Sequence, residues 1–289
     1  MKILLTGSAG FLGRNLYGHM QKLGHQVVGI DIKKSPTTNF EFNFASAMLP
    51  YMFYEFDFDV ILHTGAIADV YEAASHPRRA YEVNILGTNE VVNICFEHKI
   101  PLIYASTWEV YGEAQYLPID EQHPTLPDHP YNISKLAGEL VVRNKLHPIN
   151  YCILRMGTLY GPNMRESAVI PKFISLATEG KDITIHGTGE QFRQFTHVND
   201  VCSAFEAVIN TFKEGIYNVV ADEQISIKFL AESLKNYFPK LEISYEAVRK
   251  ADIASSVVSS EKFKKELGWK PQIKFIDGLK EMVDVSLNQ

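Results

Sequence analysis

The feature that most constrains this 289-residue chain is a glycine-rich segment near its start. Thr6–Gly13 reads TGSAGFLG and follows the short apolar run Lys2–Leu5. Apolar side chains then recur at spacings of four, four and three, as on one face of a helix: Leu12, Leu16, Met20 and Leu23. Between a strand and a helix, Gly7 permits a tight turn, Gly10 lets the backbone approach a pyrophosphate, and Gly13 allows close packing. The segment therefore predicts a dinucleotide-binding turn.

An acidic residue ends the next predicted strand. Asp31 closes the run Gln26–Asp31, 18 residues past Gly13, where a carboxylate accepts hydrogen bonds from adenosine ribose hydroxyls. Its charge would repel a 2′-phosphate, which favours NAD over NADP, although Lys33 and Lys34 follow closely. The cofactor-binding candidates of this region are Gly7, Ala9, Gly10, Phe11, Leu12, Gly13, Asp31 and Ile32.

Strand and helix patterns alternate along the first half of the chain. Further strands are predicted at Val60–His63, Leu102–Ala105 and Tyr151–Leu154, with helices at Ala80–His98 and Tyr131–Leu146. Such alternation predicts a Rossmann-type α/β fold, a doubly wound parallel sheet with helices on both faces. We therefore predict an NAD-binding domain over residues 1–156 and a smaller mixed α/β substrate-capping domain over 157–289, with part of 191–212 packing back on the first.

Composition narrows the class of protein. A net charge of −6 disfavours a nucleic-acid partner, and no run approaches the roughly 18 apolar residues that a membrane span requires. Cys95, Cys152 and Cys202 lie far apart, so each is expected to be a small buried side chain in a cytoplasmic protein. The histidines show no metal-ligand spacing, and we predict no metal.

Four further segments follow the glycine turn in a fixed order: Val83–Thr88, Tyr104–Gly112, Tyr131–Lys135 and Gly187–Asp200. Together with that turn they are similar, in order and spacing, to the nucleotide-sugar epimerases and dehydratases of the extended short-chain dehydrogenase/reductase family. The likeness continues to Leu267–Pro271 and so covers essentially the whole chain. The ordered set carries the resemblance, because a Tyr-x-x-x-Lys pair alone arises easily by chance.

The resemblance implies an NAD-dependent enzyme whose catalytic pair is Tyr131 and Lys135, both also in contact with NAD. Four residues apart, the two side chains share one face of a helix. A phenol is a poor base at neutral pH, but a neighbouring ammonium and the positive nicotinamide lower its pKa. Tyr131 would then take the proton of a sugar hydroxyl while the sugar carbon that bears this hydroxyl gives a hydride to NAD. Thr107, at a strand end, would hold the same oxygen.

The family pattern also implies that Asn84 orders the part of the site around Lys135. The alternative is that the Asn84 amide only packs within the helix.

The same resemblance implies a nucleotide-sugar substrate. Arg193 and Arg249 match family arginines that clasp the nucleotide diphosphate, an anion suited to paired guanidinium donors. A surface ion pair is the alternative for Arg249. Thr158 stands where the family usually carries an asparagine near the diphosphate, and we expect it to contact substrate. Trp108 replaces the Asp or Ser of many related dehydratases and the small residue of epimerases, so core packing and substrate contact both stay open.

Glu109 bears on the reaction type. Once C4 is oxidised, a carboxylate beside C5 can remove its proton and allow loss of the 6-hydroxyl, whereas a 4-epimerase needs no such base. Thr107-Trp108-Glu109 resembles the Thr-x-Glu of 4,6-dehydratases and sugar-acid decarboxylases, so we favour C5 chemistry, with 4-epimerisation next; Glu109 could instead hold a loop. A decarboxylase, an NAD(P)H-dependent keto-sugar reductase and a non-catalytic redox sensor are the other hypotheses, and a sensor would typically have lost the Tyr131–Lys135 pair.

The resemblance also implies a homodimer. The helices Ala80–His98 and Tyr131–Leu146 would pack against their symmetry mates in an isologous bundle. They offer the apolar side chains of Val83, Leu86, Val91, Ile94, Leu136, Leu140 and Val141, although packing on the sheet would use some of these.

Overall fold

The computed structural model describes residues 1–146, 149–247 and 257–288. Its strands within these ranges are β1 (Lys2–Thr6), β2 (Gln26–Asp31), β3 (Phe40–Glu41), β4 (Val60–His63), β5 (Leu102–Thr107), β6 (Tyr151–Met156), β7 (Thr158–Tyr160), β8 (Ile183–His186), β9 (Phe192–Arg193), β10 (Phe195–His197), β11 (Gly215–Val219), β12 (Ile225–Ser226) and β13 (Ile243–Glu246). Its α-helices are α1 (Phe11–Lys22), α2 (Met48–Glu55), α3 (Val70–Ser75), α4 (Pro77–Tyr81), α5 (Thr88–His98), α6 (Pro130–Lys145), α7 (Val169–Thr178), α8 (Val198–Thr211), α9 (Ile227–Leu234), α10 (Glu261–Leu267) and α11 (Phe275–Leu287). A π-helical stretch, Glu82–Gly87, joins α4 to α5, and a 3-10 turn, Trp108–Tyr111, follows β5.

Seven strands form one parallel sheet in the order β3-β2-β1-β4-β5-β6-β11. This confirms the predicted Rossmann-type fold. The strand order reverses between β1 and β4, whose last residues, Thr6 and His63, are paired. In open parallel sheets, ligands bind outside the carboxyl ends of the strands at such a reversal. We therefore expect the ligand-binding residues just after β1, β4 and β5.

Both faces of the sheet are covered, which explains why its strands read as continuous apolar runs. Ile3 and Leu5 of β1 belong to a core with α1 and α8, whereas Leu4 belongs to the opposite core with α2, α5 and α6. All three side chains have no exposed surface. Each contributes on the order of 1.5–3 kcal/mol by its burial.

The second half of the chain contributes both to this sheet and to a core of its own. Strand β11 pairs with β6, and α8 packs on the same face of the sheet as α1. A separate apolar core joins side chains of α7, β8, α9 and α11, including Ile174, Leu230 and Leu279. The division into residues 1–156 and 157–289 stays a prediction.

One predicted helix differs from the structure. The single helix predicted over Ala80–His98 is wrong: α4 and α5 are separated by the π-helical stretch, which turns Asn84 fully inward. Single π-turns of this kind often occur at functional sites.

Candidate functional site

The glycine segment forms the turn between β1 and α1. Gly7 has a φ of 72°, and a Cβ there would lie 2.6 Å from the backbone of Gly65, so this position requires glycine. A Cβ at Gly13 would lie 2.8 Å from the carbonyl carbon of Gly7. Helix α1 begins after Gly10 with no side-chain cap, so its first amide groups can bind an anion. The turn fits the pyrophosphate of a dinucleotide.

Asp31 lies at the carboxyl end of β2, beside this turn. Its Oδ2 accepts a hydrogen bond from the amide of Ala9 at 3.0 Å, and its Oδ1 accepts one from the amide of Lys33 at 2.9 Å. The carboxylate therefore ties the glycine turn to β2, a contact that sequence reasoning missed. A carboxylate has about four acceptor positions, so ribose hydroxyls can still bind it. Ile32, next in the chain, is exposed beside it.

His63 is a structural residue of the core. One ring nitrogen lies 2.6 Å from the hydroxyl of Thr6 and the other lies 3.0 Å from the hydroxyl of Thr88. Burial, with a smaller effect of the Lys135 charge, lowers the pKa of His63 to about 3. The ring is therefore neutral at physiological pH and holds the ends of β1 and β4 together.

Thr107 and Tyr131 meet at the carboxyl end of β5. Helix α6 starts with Pro130, and its N-cap, His129, accepts a hydrogen bond from the amide of Tyr131 at 3.3 Å. This start places the Tyr131 phenol close to the Thr107 side chain. Burial of the phenol raises the pKa of Tyr131 and the charge of Glu109 raises it further, whereas Arg165 and the Thr107 hydrogen bond lower it. The phenol therefore needs additional positive charge to act as a base.

Lys135 lies one turn further along α6 and is 3% exposed. Its Nζ lies 4.1 Å from the centroid of the Tyr104 ring, a cation–π contact with β5. Burial lowers the pKa of Lys135 to about 7, and the Glu139 carboxylate opposes that shift. Helix α6 can approach β5 this closely because residue 138 is glycine: a Cβ at Gly138 would lie 3.0 Å from Cζ of Tyr104 and closer still to its hydroxyl.

Asn84 is fully buried between the loop after β4 and α6. Its Oδ1 accepts from the amide of Ile67 at 2.8 Å, and its Nδ2 donates to the Ile67 carbonyl at 3.0 Å and to Oγ of Ser134 at 2.9 Å. Ser134 immediately precedes Lys135. The amide of Asn84 thus fixes the segment that carries Lys135, in the manner of an ordering residue.

Two of the residues predicted to bind substrate lie together beyond the end of β6. A cleft there is lined by Trp108, Gly157, Thr158, Phe192, Arg193, Gln194, Val220 and Val258. Thr158 and Arg193, 35 positions apart, are therefore brought together. Trp108 packs against a small core that includes Tyr111 and also lines the cleft, so core packing is observed and substrate contact stays a prediction. Arg249 lies outside the described residues.

Glu109 is half-buried beside this cleft. Its amide donates to Oγ1 of Thr107 at 3.2 Å, which closes the 3-10 turn after β5. Burial raises the pKa of Glu109 above its ordinary value, while the charge of Arg193 lowers it and that of Asp128 raises it. The charge of Glu109 also acts on the Tyr131 phenol, so this carboxyl group lies near the Tyr131–Lys135 pair.

Sequence reasoning missed an ion pair on the opposite side of Tyr131. Arg165, after β7, donates from a terminal guanidinium nitrogen to Oδ2 of Asp69, the N-cap of α3. Tyr131 packs against Ile67 and α3, and Arg165 lowers its pKa. The Asp-x-x-Glu pattern of Asp69–Glu72 is a capping signal that could have located the helix start, but nothing in the sequence indicates Arg165 as its partner.

The described residues also bear on metal binding, membrane insertion and thiol chemistry. Within the described ranges, no group of three or more His, Cys, Asp or Glu side chains is placed to hold a metal ion. In the same part of the chain, no helix combines the length and apolar character needed to span a bilayer. Cys95, Cys152 and Cys202 are buried free thiols.

Several known proteins are similar to this chain over its whole length. A putative UDP-glucose 4-epimerase of Methanocaldococcus jannaschii is 30% identical over 298 residues, which cover 98% of this chain and 97% of that protein. A dTDP-D-glucose 4,6-dehydratase of Bos taurus is 29% identical and is covered to 88%, against 98% of this chain. The crystal structure of a UDP-glucuronic acid 4-epimerase from Bacillus cereus, in complex with UDP-glucuronic acid and NAD, is 26% identical with a TM-score of 0.89; the match covers 100% of this chain and 99% of that one.

A family model described as the NAD dependent epimerase/dehydratase family matches residues 3–220. The matched range contains the glycine turn, the Tyr131–Lys135 pair, Thr158 and Arg193. The chain therefore belongs to the NAD-dependent epimerase/dehydratase family.

Proposed function

We propose that this protein oxidises a nucleotide-sugar transiently at C4 and then acts at C5, in the manner of a 4,6-dehydratase. The observation that carries the proposal is the position of Glu109, a half-buried carboxyl group next to Thr107 whose charge acts on Tyr131. The named substrates of its relatives, UDP-glucose, dTDP-glucose and UDP-glucuronic acid, support a nucleotide-linked hexose as the substrate class.

In this proposal Tyr131 takes the proton of the sugar 4-hydroxyl, and Thr107 holds the same oxygen through its own hydroxyl. Lys135 supplies the positive charge that stabilises the phenolate. Bound NAD would accept the sugar hydride and later return it. The cofactor would be held by the turn Gly7–Gly13 with Asp31 and Ile32, by Tyr131 and Lys135, and through the ordering contacts of Asn84.

Glu109 then removes the C5 proton. Oxidation at C4 acidifies that proton, because the carbanion is stabilised as an enolate. A carboxylate whose pKa is raised by burial is a better base than an exposed one, since a base works best with a pKa near the working pH. On the far side of the cleft, Arg193 and Thr158 would bind the diphosphate, with Arg249 as a further candidate.

The second candidate function is 4-epimerisation, and Trp108 is the observation that favours it. An indole has no proton of suitable acidity to give to a departing 6-hydroxyl, so elimination would need Glu109 or water for that task. A 4-epimerase needs neither acid nor base at C5.

Turnover in deuterated water separates the two functions. UDP-, dTDP-, GDP- and CDP-sugars are incubated with purified protein without added cofactor, and the products are examined by mass spectrometry and NMR. C5 chemistry places solvent deuterium in the sugar, and Glu109→Gln slows it, whereas Glu113→Gln, a matched change at an exposed glutamate, leaves it unchanged. A deuterium-free product of inverted C4 configuration, formed at an unchanged rate by Glu109→Gln, would establish 4-epimerisation instead.

We also propose a homodimer formed through α6 and the π-helical stretch. Leu86, Ile133 and Leu140 on these elements are 62%, 40% and 53% exposed, which leaves apolar surface for an isologous contact. Val91 and Ile94, which the sequence also offered for this interface, belong instead to the core under the sheet.

A further inference from the structure

A fully buried carboxylate lies one helical turn beyond Lys135. Glu139 has no exposed surface. Its Oε1 accepts from the Ser106 hydroxyl at 2.5 Å and from Nε of Arg155 at 3.0 Å, and its Oε2 accepts from a terminal guanidinium nitrogen of Arg155 at 2.7 Å. The Arg155 side chain is 4% exposed and its guanidinium carbon lies 4.7 Å from the centroid of the Tyr111 ring. Two opposite charges and a hydroxyl are thus sequestered together.

Stability alone is a weak explanation for this arrangement. Removing two charges from water costs several kcal/mol per ion, and apolar side chains of similar volume often replace a buried pair without loss of stability. The elements that the carboxylate joins suggest another purpose. Ser106 is the residue before Thr107 on β5, Arg155 lies on β6, and Glu139 lies on the helix that carries Tyr131 and Lys135.

The Lys135 ammonium is surrounded by side chains from α6, β5 and β4. On α6 it is flanked by Tyr131 and Glu139, β5 presents the ring of Tyr104, and β4 presents His63, which is neutral. Arg155 on β6 is engaged with Glu139 itself. Positions i and i+4 of a helix are neighbours, and Glu139 is the group whose charge favours the ammonium form of Lys135 against its burial.

We propose that Glu139 is a positioning residue for the Tyr131–Lys135 pair: its carboxylate lies one helical turn from Lys135 on the same face of α6 and, through Ser106, fixes the strand end that carries Thr107 against α6. The consequence for catalysis rests on the proposed function, whereas the effect on Lys135 does not. The Tyr131 phenol lies two turns from Glu139, so the carboxylate acts on it through Lys135.

The test is a titration of Lys135 in the purified protein, without and with saturating NAD. Lysines carrying 13C at Cε are followed by NMR against pH, and the Lys135 signal is assigned from its loss in Lys135→Met. Glu139→Gln keeps the shape of the side chain and removes its charge. We expect the Lys135 midpoint to fall by at least about one pH unit, a tenfold loss of proton affinity. Ser106→Ala, which removes a hydrogen bond and leaves the charge, should leave the midpoint in place.

A folded Glu139→Gln protein with an unchanged Lys135 midpoint would overturn the proposal, as would an equal shift in Ser106→Ala. If Glu139→Gln does not fold, the double change Glu139→Gln with Arg155→Met is compared with Arg155→Met alone, so that only the carboxylate charge differs, and an equal Lys135 midpoint in the two would again overturn the proposal. Once a substrate is known, the rising limb of kcat against pH should move to higher pH in Glu139→Gln and return with Glu139→Asp. Inactivity of the wild type on every nucleotide-sugar would contradict the proposed function and leave the titration result standing.

Discussion

The close approach of α6 to β5 at Gly138 can be tested by filling it. Helical glycine is usually less stable than alanine by up to about 1 kcal/mol, so an unhindered Gly138→Ala change would stabilise the protein. Here the added Cβ would lie 3.0 Å from Cζ of Tyr104, closer to its hydroxyl, and 3.2 Å from the carbonyl oxygen of Asn84. Overpacking of this kind costs about 1–3 kcal/mol. We therefore expect Gly138→Ala to destabilise the fold by about 1–2 kcal/mol net.

The hydroxyl of Tyr104 is the group in the way, and Tyr104→Phe removes it. The double variant should recover about 1 kcal/mol or more relative to the sum of the single changes, because residues in contact couple on this scale. Urea unfolding of the wild type, both single variants and the double variant closes the cycle, and NAD binding by calorimetry reports the effect on the site. Gly138→Ala as stable as the wild type, or a coupling free energy near zero, would refute this packing argument.

Three further predictions concern the cofactor, the buried lysine and the interface. Asp31→Ala should weaken NAD binding more than NADP binding; tighter NADP than NAD binding by the wild type would contradict the role of Asp31. The pKa of Lys135, about 7, lies below the 10.5 of an unfolded lysine. The unfolded chain therefore binds the extra proton between these values, so the cost of burying the ammonium is complete below pH 7 and disappears toward pH 10. Lys135→Met should accordingly raise Tm by several degrees at pH 6 and by less at pH 9, and a gain independent of pH would count against this. Light scattering at micromolar concentration should give a dimer that Leu86→Glu with Leu140→Glu converts to monomers; a monomeric wild type would rule the interface out.

The local parts of the site could be predicted from the sequence. The glycine turn, the strand ends at Asp31 and Thr107, and the Tyr131–Lys135 face depend on neighbours within one or two turns of chain, and such patterns are visible in a single sequence. The spacing of Tyr131 and Lys135, for example, requires only a helix. Periodicity averages over a window, however, so the π-helical stretch that turns Asn84 inward was read as continuous helix.

Contacts between distant segments could not be predicted. Arg165 and Asp69 are 96 positions apart, and Arg155 meets Glu139 only because β6 lies beside β5 under α6. From the sequence alone, each of these charged side chains could equally lie exposed at the surface. Only the fold shows which of them are paired. The hydrogen bond from Ala9 to Asp31 is of the same kind, since it depends on how β1 and β2 align.

The central claim is that Tyr131 removes a proton from the sugar 4-hydroxyl as C4 is oxidised by tightly bound NAD. Its most direct test uses a nucleotide-sugar that the enzyme converts, labelled with deuterium at C4. The reaction is quenched rapidly and the cofactor is examined by mass spectrometry. We predict that the deuterium leaves C4 for the nicotinamide ring in the wild type, and that Tyr131→Phe, with NAD binding intact, slows this transfer by about 10²–10⁴-fold. Product formed without deuterium ever leaving C4, or transfer by Tyr131→Phe at the wild-type rate, would contradict the claim.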